Sequence, residues 1–339
     1  MKKLVSRQHE RGFSMVELLV ALVIGLIMIA GLIQIFLANR QSYRVMEGAN
    51  FMQENLRFAV DRIATSVRMA DHWATVSRQK ISNTASGSLC SAAWARDLSR
   101  GVWGVDGSAS VPTAVGSCIS AANYQPNTDI ILVRYAGPDI LPNAVGLTST
   151  QWYVRAGVGS DKGEIFRGST PPAAPIPEAT QVFLMQYNAE LFWVRRCSDP
   201  GADASCGTSD DGDQPDRIPT LMRSYLDSAG NWTSEPLAEG MEQLQLEYQV
   251  MNRGWINATA VNALTTLLPT PWDLITGARV AGIMRSAQPD SGFGPDTRTF
   301  NLSGDTPNYS VPAAAQRYMR VAYEANAVIR ARVRPAPAI

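Results

Sequence analysis

Arg11-Gly12-Phe13-Ser14-Met15-Val16-Glu17-Leu18-Leu19-Val20 decides how the rest of the chain is read. A short basic leader ends at Gly12, an apolar run starts at Phe13 and continues to Ala38, and one carboxylate, Glu17, sits inside that run. Between Phe13 and Ala38 the only polar side chains are Ser14, Glu17 and Gln34. About 20 apolar residues suffice to cross a bilayer as a helix. In lipid a single segment satisfies its backbone only as a helix. Lys2, Lys3, Arg7 and Arg11 precede the run, offset only by Glu10. This asymmetry predicts a cytoplasmic N-terminus and export of everything after Arg40.

A cleaved secretory signal fits these residues poorly. The apolar run is too long for its hydrophobic region, and no small-x-small cleavage site follows it. A carboxylate within a membrane helix is costly and marks a functional position. The run contains no cation to pair with Glu17, so the expected partner belongs to another molecule. A free α-amino group made by cutting before Phe13 of an adjacent subunit has the required charge.

The stretch Gly12 to Glu17 resembles the class III signal of type IV pilins and type II secretion pseudopilins. The resemblance implies cleavage after Gly12 by prepilin peptidase, N-methylation of Phe13, and use of Glu17 to dock each subunit into a helical filament. Major pilins often carry a kinking proline in this helix. Here the first proline is Pro112.

The 339 residues carry equal numbers of acidic and basic side chains, 30 each. Removing the leader leaves 26 basic and 29 acidic residues, which gives no basic footprint for nucleic acid. About 270 residues lie beyond the first helix, enough for one large or two small domains. Cys90, Cys118, Cys197 and Cys206 form an even set, which in an oxidising compartment suggests disulfides. Three pairings are possible. The sequence-local one, Cys90–Cys118 with Cys197–Cys206, is expected. Zinc would need close-spaced Cys/His sets, and the one histidine beyond the leader is His72.

Val45, Ala49, Met52, Leu56, Ala59, Val60, Ile63 and Val67 step by three or four, the mark of an amphipathic helix. Phe51 and Phe58 are expected to widen its apolar stripe. One helix from Phe13 to Met69 would be on the order of 85 Å long; a break near Gly48 would divide it. Residues 73–128 are rich in Gly, Ser and Ala without sustained period and read as loop. Strands are predicted at 129–135, 151–155, 164–167, 181–185, 190–195, 220–225, 240–250, 276–286, 318–324 and 327–333. The Pro-rich segment 168–179 and the acidic segment 197–216 read as loops.

The strands containing Thr128-Asp129-Ile130-Ile131, Met241 to Val250, Ala278 to Ser286 and Val328 to Pro335 look, in this order, like the PilW family of type IV minor pilins. The J-type pseudopilins of type II secretion share a similar layout. The resemblance implies an α+β lollipop, with a long N-terminal helix packed on an antiparallel β-sheet head. Its parts are a leader (1–12), a membrane or filament-core helix (13–40), the amphipathic half of the helix (41–72) and a periplasmic head (73–339). It further implies a minor pilin, lodged in the inner membrane and then in the pilus. Such a subunit helps start assembly at or near the tip, with other minor pilins, the major pilin and a tip adhesin.

Other chemistries find little support. Ser77-Arg78-Gln79-Lys80 matches S-x-x-K without the motifs that accompany it in penicillin-binding enzymes. A serine triad would have to use His72. Asp210, Asp211, Asp213 and Asp216, with Asp199 and Asp203, could offer oxygens to calcium, but the spacing is not that of an EF-hand and a solvated acidic loop explains them. The expectation is a protein with no catalytic residues, cofactor or small-molecule substrate. The alternatives are a type II secretion pseudopilin and a membrane-anchored periplasmic enzyme.

Overall fold

In a computed structural model, which describes residues 13–82, 90–142, 146–211, 218–266, 268–290, 292, 294–302 and 308–333, one unbroken helix, α1 (Met15–Met69), opens the chain. It contains no proline and runs through Gly48 without interruption. Ser14 and Glu17 start it with a reciprocal pair of bonds. The Ser14 Oγ accepts the Glu17 N–H, and Glu17 Oε2 accepts the Ser14 N–H, each at 3.2 Å. This S-x-x-E arrangement is a capping box. Asp71 ends the helical run two residues after Met69. Its φ of 58° is left-handed, and its N–H turns to the Arg134 carbonyl.

The chain divides into two compact units at Asn50 and Phe51. In the first unit, α1 holds an apolar window long enough to cross a membrane, and none of that window is buried.

The second unit holds the rest of α1 followed by β1 (Ile81–Ser82), α2 (Ala92–Ala95), β2 (Val102–Val105), β3 (Ile130–Ala136), β4 (Trp152–Val158), β5 (Gly163–Arg167) and β6 (Gln181–Arg195). Next come β7 (Thr220–Leu226), β8 (Trp232–Glu239), β9 (Met241–Val250), β10 (Gly254–Ile256), α3 (Ala258–Asn262), β11 (Ile275–Arg285), β12 (Thr299–Phe300), β13 (Tyr309–Ser310), β14 (Arg320–Val328) and α4 (Arg330–Val333). One sheet follows the order β1-β5-β4-β6-β3-β2, with β7 and β8 added beside β6. A second sheet has the order β10-β9-β11-β14, and β12 pairs with β13. All pairings are antiparallel except that of β1 with β5.

Met52, Leu56, Val60, Ile63 and Val67 of α1 enter a core with Val133, Phe192, Leu246 and Val280 of the two sheets. Phe51 and Phe58, expected on this stripe, are 65% and 55% exposed. Each lies a full 100° of helical rotation from a buried neighbour, Met52 or Ala59, so only the narrower stripe reaches the core. Gly282 admits the helix. A Cβ there would stand 2.9 Å from Leu56 Cδ1.

Some elements differ from the sequence reading. Residues 181–195 form one strand, because β6 exchanges its partner β4 for β3 between Gln186 and Tyr187 and stays hydrogen-bonded throughout. β8 was unmarked in sequence, with Ser234, Glu235 and Pro236 in its centre. It forms through pairing with β7 and bulges at Leu237, between Pro236 opposite Met222 and Ala238 opposite Leu221. The strand expected at 327–333 ends at Val328 and gives way to α4. The guanidinium of Arg332 draws the chain inward by donating to the carbonyls of Trp272 and Ile275. Within 73–128, β2 forms because it pairs with β3.

A buried carboxylate fixes α1 to the sheet. Glu190 of β6 is 1% exposed as a side chain. It accepts Arg62 Nη2 and Ser66 Oγ from α1, each at 2.5 Å, and Tyr135 OH at 3.2 Å. Arg223 Nη2 lies 2.6 Å from the same carboxylate and its Nη1 bonds Glu235. Removing one member of a buried charge network leaves the others uncompensated. Glu190→Ala is expected to cost about 3 kcal/mol, the low end for a buried pair because both arginines are partly solvated. Arg57→Ala, which breaks an exposed pair with Asp61, is expected to cost less than ~0.5 kcal/mol. Denaturant unfolding of the full chain in detergent checks both, and equal effects would contradict the account.

Candidate functional site

Residues 13–20 are exposed, and Glu17 is the one carboxylate among them. Its oxygen is already engaged by the Ser14 N–H. At this position it also meets the positive end of the helix dipole. A carboxylate that caps its own helix is thus partly compensated yet open to a stronger, fully charged partner. Sequence reasoning assigned Glu17 a partner outside the chain and passed over Ser14, although the S-x-x-E spacing announces the cap. Phe13 stands just before the helix, 85% exposed. Gly12 and the leader lie outside the described residues.

The end of α1 is held by a second charge cluster. Asp71 accepts Trp73 Nε1 at 2.9 Å, Arg78 Nη1 at 2.8 Å and Arg332 Nε at 2.8 Å. Arg78 also bonds Asp273. Burial raises the Asp71 pKa, but the charges of Arg332 and Arg78 outweigh it and hold the carboxyl below its ordinary value. The cluster binds the turn after α1 to the segment before β11 and to α4. It uses residues from distant parts of the chain, so no local motif marks it.

The chemistries set aside in sequence stay dispersed. Lys80 lies on a short 3-10 helix, with its Nζ 4.0 Å from Asp161 and 60% exposed. His72 Nδ1 lies 3.0 Å from the Ala136 carbonyl. Cys90 pairs with Cys118 and Cys197 with Cys206, with Cα separations of 5.2 and 5.7 Å. In the acidic loop, Asp210 accepts the Ala202 N–H at 2.8 Å and the Thr208 hydroxyl at 2.7 Å. Asp211 accepts the Gly207 N–H at 2.6 Å. These carboxylates fold the loop on itself; Asp213 and Asp216 lie outside the described residues. Among the described residues no group of three or more His, Cys, Asp or Glu side chains is placed to hold a metal ion.

In the sequence Asp129 marks only the start of a strand. It is buried, and it clamps the two sheets together. One oxygen accepts the Gly107 N–H and the other the Leu246 N–H, both at 2.7 Å, while its own N–H donates to the Leu244 carbonyl. Burial pushes its pKa up to about 8; the two N–H donors oppose the rise and the charge of Asp106 adds to it. The hydroxyl of Tyr248 is buried nearby without a hydrogen-bond partner among the described residues. Gly104 leaves room for it, since a Cβ there would fall 1.9 Å from that oxygen.

Two comparisons with protein families match this chain. Residues 206–331 match the family described as Type IV Pilus-assembly protein W, PilW, which spans β7 to α4. Residues 7–33 match the prokaryotic N-terminal methylation motif. No curated protein and no solved structure matches. The first match covers the second sheet, and the second covers the capped, exposed start of α1.

The Asp129 clamp carries a pH signature. The unfolded chain releases this proton near the ordinary value of 3.8 and the folded chain near 8. The folded form therefore binds more protons between these values, and its advantage is lost as pH rises through the window. The slope from one such proton is at most about 1.4 kcal/mol per pH unit. Melting temperature of the full chain in detergent is expected to fall from pH 5 to pH 9, with a flatter profile in Asp129→Asn. Parallel profiles for the two proteins would contradict the assignment.

Proposed function

With the chain as a type IV pilus minor pilin of the PilW family, a structural component and not an enzyme, which the two family matches support, we propose that it helps start pilus assembly and sits at or near the pilus tip. Its leader is cut after Gly12 by prepilin peptidase and Phe13 is methylated. Before assembly it lies in the inner membrane, N-terminus inward and head in the periplasm. In the filament its helix packs among those of other minor pilins and the major pilin, and the head contributes to a tip complex with an adhesin.

The observation that carries this reading is the apolar, wholly exposed first part of α1, with Glu17 as its one acidic side chain up to Arg40. An exposed surface of this size is stable only in lipid or among other helices. In such a medium an unpaired carboxylate costs several kcal/mol, roughly 2.5–3.5 on insertion scales. The methylated amino group of a neighbouring Phe13 removes that cost by pairing with Glu17. The pair sets the axial position of one subunit against the next, because no other charge in this part of the helix competes for it.

Substitution at Glu17 tests the docking role. Glu17→Ala removes both the cap and the charge, whereas Glu17→Gln keeps an acceptor for the capping box and loses only the charge. Both variants are expected to be cut and methylated normally. Both should fall at least about tenfold in sheared pili, a loss equivalent to 1.4 kcal/mol of docking free energy. Quantitative blotting of the sheared and envelope fractions gives the result. Normal incorporation of Glu17→Gln would show that the carboxylate serves only its own helix.

A further inference from the structure

Sheet edges invite pairing with other chains, and folded proteins blunt them with short strands, prolines, bulges or charges. Among the described strands most edges here are blunted. β1 has two residues, β10 three and β2 four. β8 carries Pro236 next to its own bulge at Leu237. β14 is different. Its nine residues pair one for one with β11, from Arg320 opposite Arg285 to Val328 opposite Gly277, without a shift. It contains no proline, lysine or glycine. Its two charges are satisfied within the chain, Arg320 by buried Glu242 and Glu324 by Arg279 on β11.

The ladder shows which backbone groups are free. At its two ends, Ile329 donates its N–H to Thr276, and Met319 accepts the Ser286 N–H on its carbonyl. In an antiparallel pair the residues that exchange bonds with one neighbour alternate along the strand. The odd-numbered residues of β14 therefore face β11, and the even-numbered ones turn their N–H and C=O outward. The outward carbonyl of Arg320 accepts Arg298 Nη2 at 3.1 Å, which closes that end of the edge. From Ala322 to Val328 the outward groups of residues 322, 324, 326 and 328 have no backbone or side-chain partner among the described residues, and all four residues are exposed.

We propose that this edge receives an extended segment of a different subunit of the same filament, which adds a fifth strand to the β10-β9-β11-β14 sheet. Donors and acceptors that recur every second residue are matched by an extended backbone. A second copy of β14 fits poorly. Symmetric antiparallel pairing centred on the strand sets Glu324 against Glu324, and like charges directly opposite are unfavourable. The two-fold axis such pairing needs is also absent from a polar filament, whose contacts run head to tail. The inference rests on the proposed place of the protein in a pilus.

Proline discriminates the two faces of the strand. At Asn326 it removes an outward N–H and leaves the β11 ladder intact, a position that edge strands tolerate. At Ala325 it removes an inward N–H and breaks the ladder. Asn326→Pro is expected to melt like the unmodified full chain in detergent, and Ala325→Pro well below it. In cells, Asn326→Pro is expected to reduce surface pili several-fold. A photo-cross-linking residue at Ala322 is expected to join this chain to another subunit bearing a prepilin signal, identified by the mass of the cross-linked peptide. The proposal is overturned if Asn326→Pro destabilises the chain as Ala325→Pro does, if it leaves pili at normal number, or if the cross-link lies within the chain or on β14 of a second copy. Glu17→Gln in the same strain separates the two claims. Loss of incorporation there with normal piliation in Asn326→Pro refutes the edge alone; normal piliation and incorporation in both refutes the docking reading as well.

Discussion

The carboxylate of Glu190 is the point on which the head depends. It is buried in the middle of β6, the one described strand that pairs with three others, and it receives two donors from α1 and two from the sheet. A buried charge is costly unless every lone pair is occupied. Arg62, Ser66, Tyr135 and Arg223 meet that condition here. Hydrophobic burial of Leu56, Ile63 and Val67 supplies the attraction between helix and sheet. The charge network adds direction, since an apolar stripe alone could slide by a turn. The Asp71 cluster repeats the device at the helix end, tying it to chain 261 residues later.

The two units therefore obey different physics. Up to Arg40 the helix buries none of its apolar window and carries one carboxylate, which caps its own first turn. From Phe51 on, the same helix is a core element of a two-sheet head. The first unit thus leaves its apolar surface open, whereas the second buries its own. The straight outer edge of β14 belongs to the second unit.

Much of this was legible in the sequence, for reasons that differ by region. The prepilin-like start, the apolar run and the 3–4 spacing from Val45 to Val67 state their structure locally, as do strands such as Met241–Val250 with alternating apolar residues. Elements held by pairing were hidden. β8, with Ser, Glu and Pro at its centre, is a strand because β7 lies beside it, and the polar Gln186 and Asn188 sit inside β6 because that strand changes partners there. Phe51 and Phe58 misled because hydrophobicity alone does not tell which 100° step faces the core. Asp129, Glu190 and Asp71 act through residues far away in sequence, so no spacing could reveal them. Glu17 was visible because membrane composition makes a lone carboxylate conspicuous, and the S-x-x-E spacing announces its bond to Ser14.

The central claim is that the chain enters a pilus through a processed N-terminus. Mass spectrometry of pili sheared from cells tests it most directly. The account predicts a peptide beginning at Phe13, bearing an N-terminal methyl group and present at a small fraction of the major pilin. A chain in those pili that still begins at Met1, or a processed chain confined to the cell envelope and missing from the sheared fraction, would contradict it.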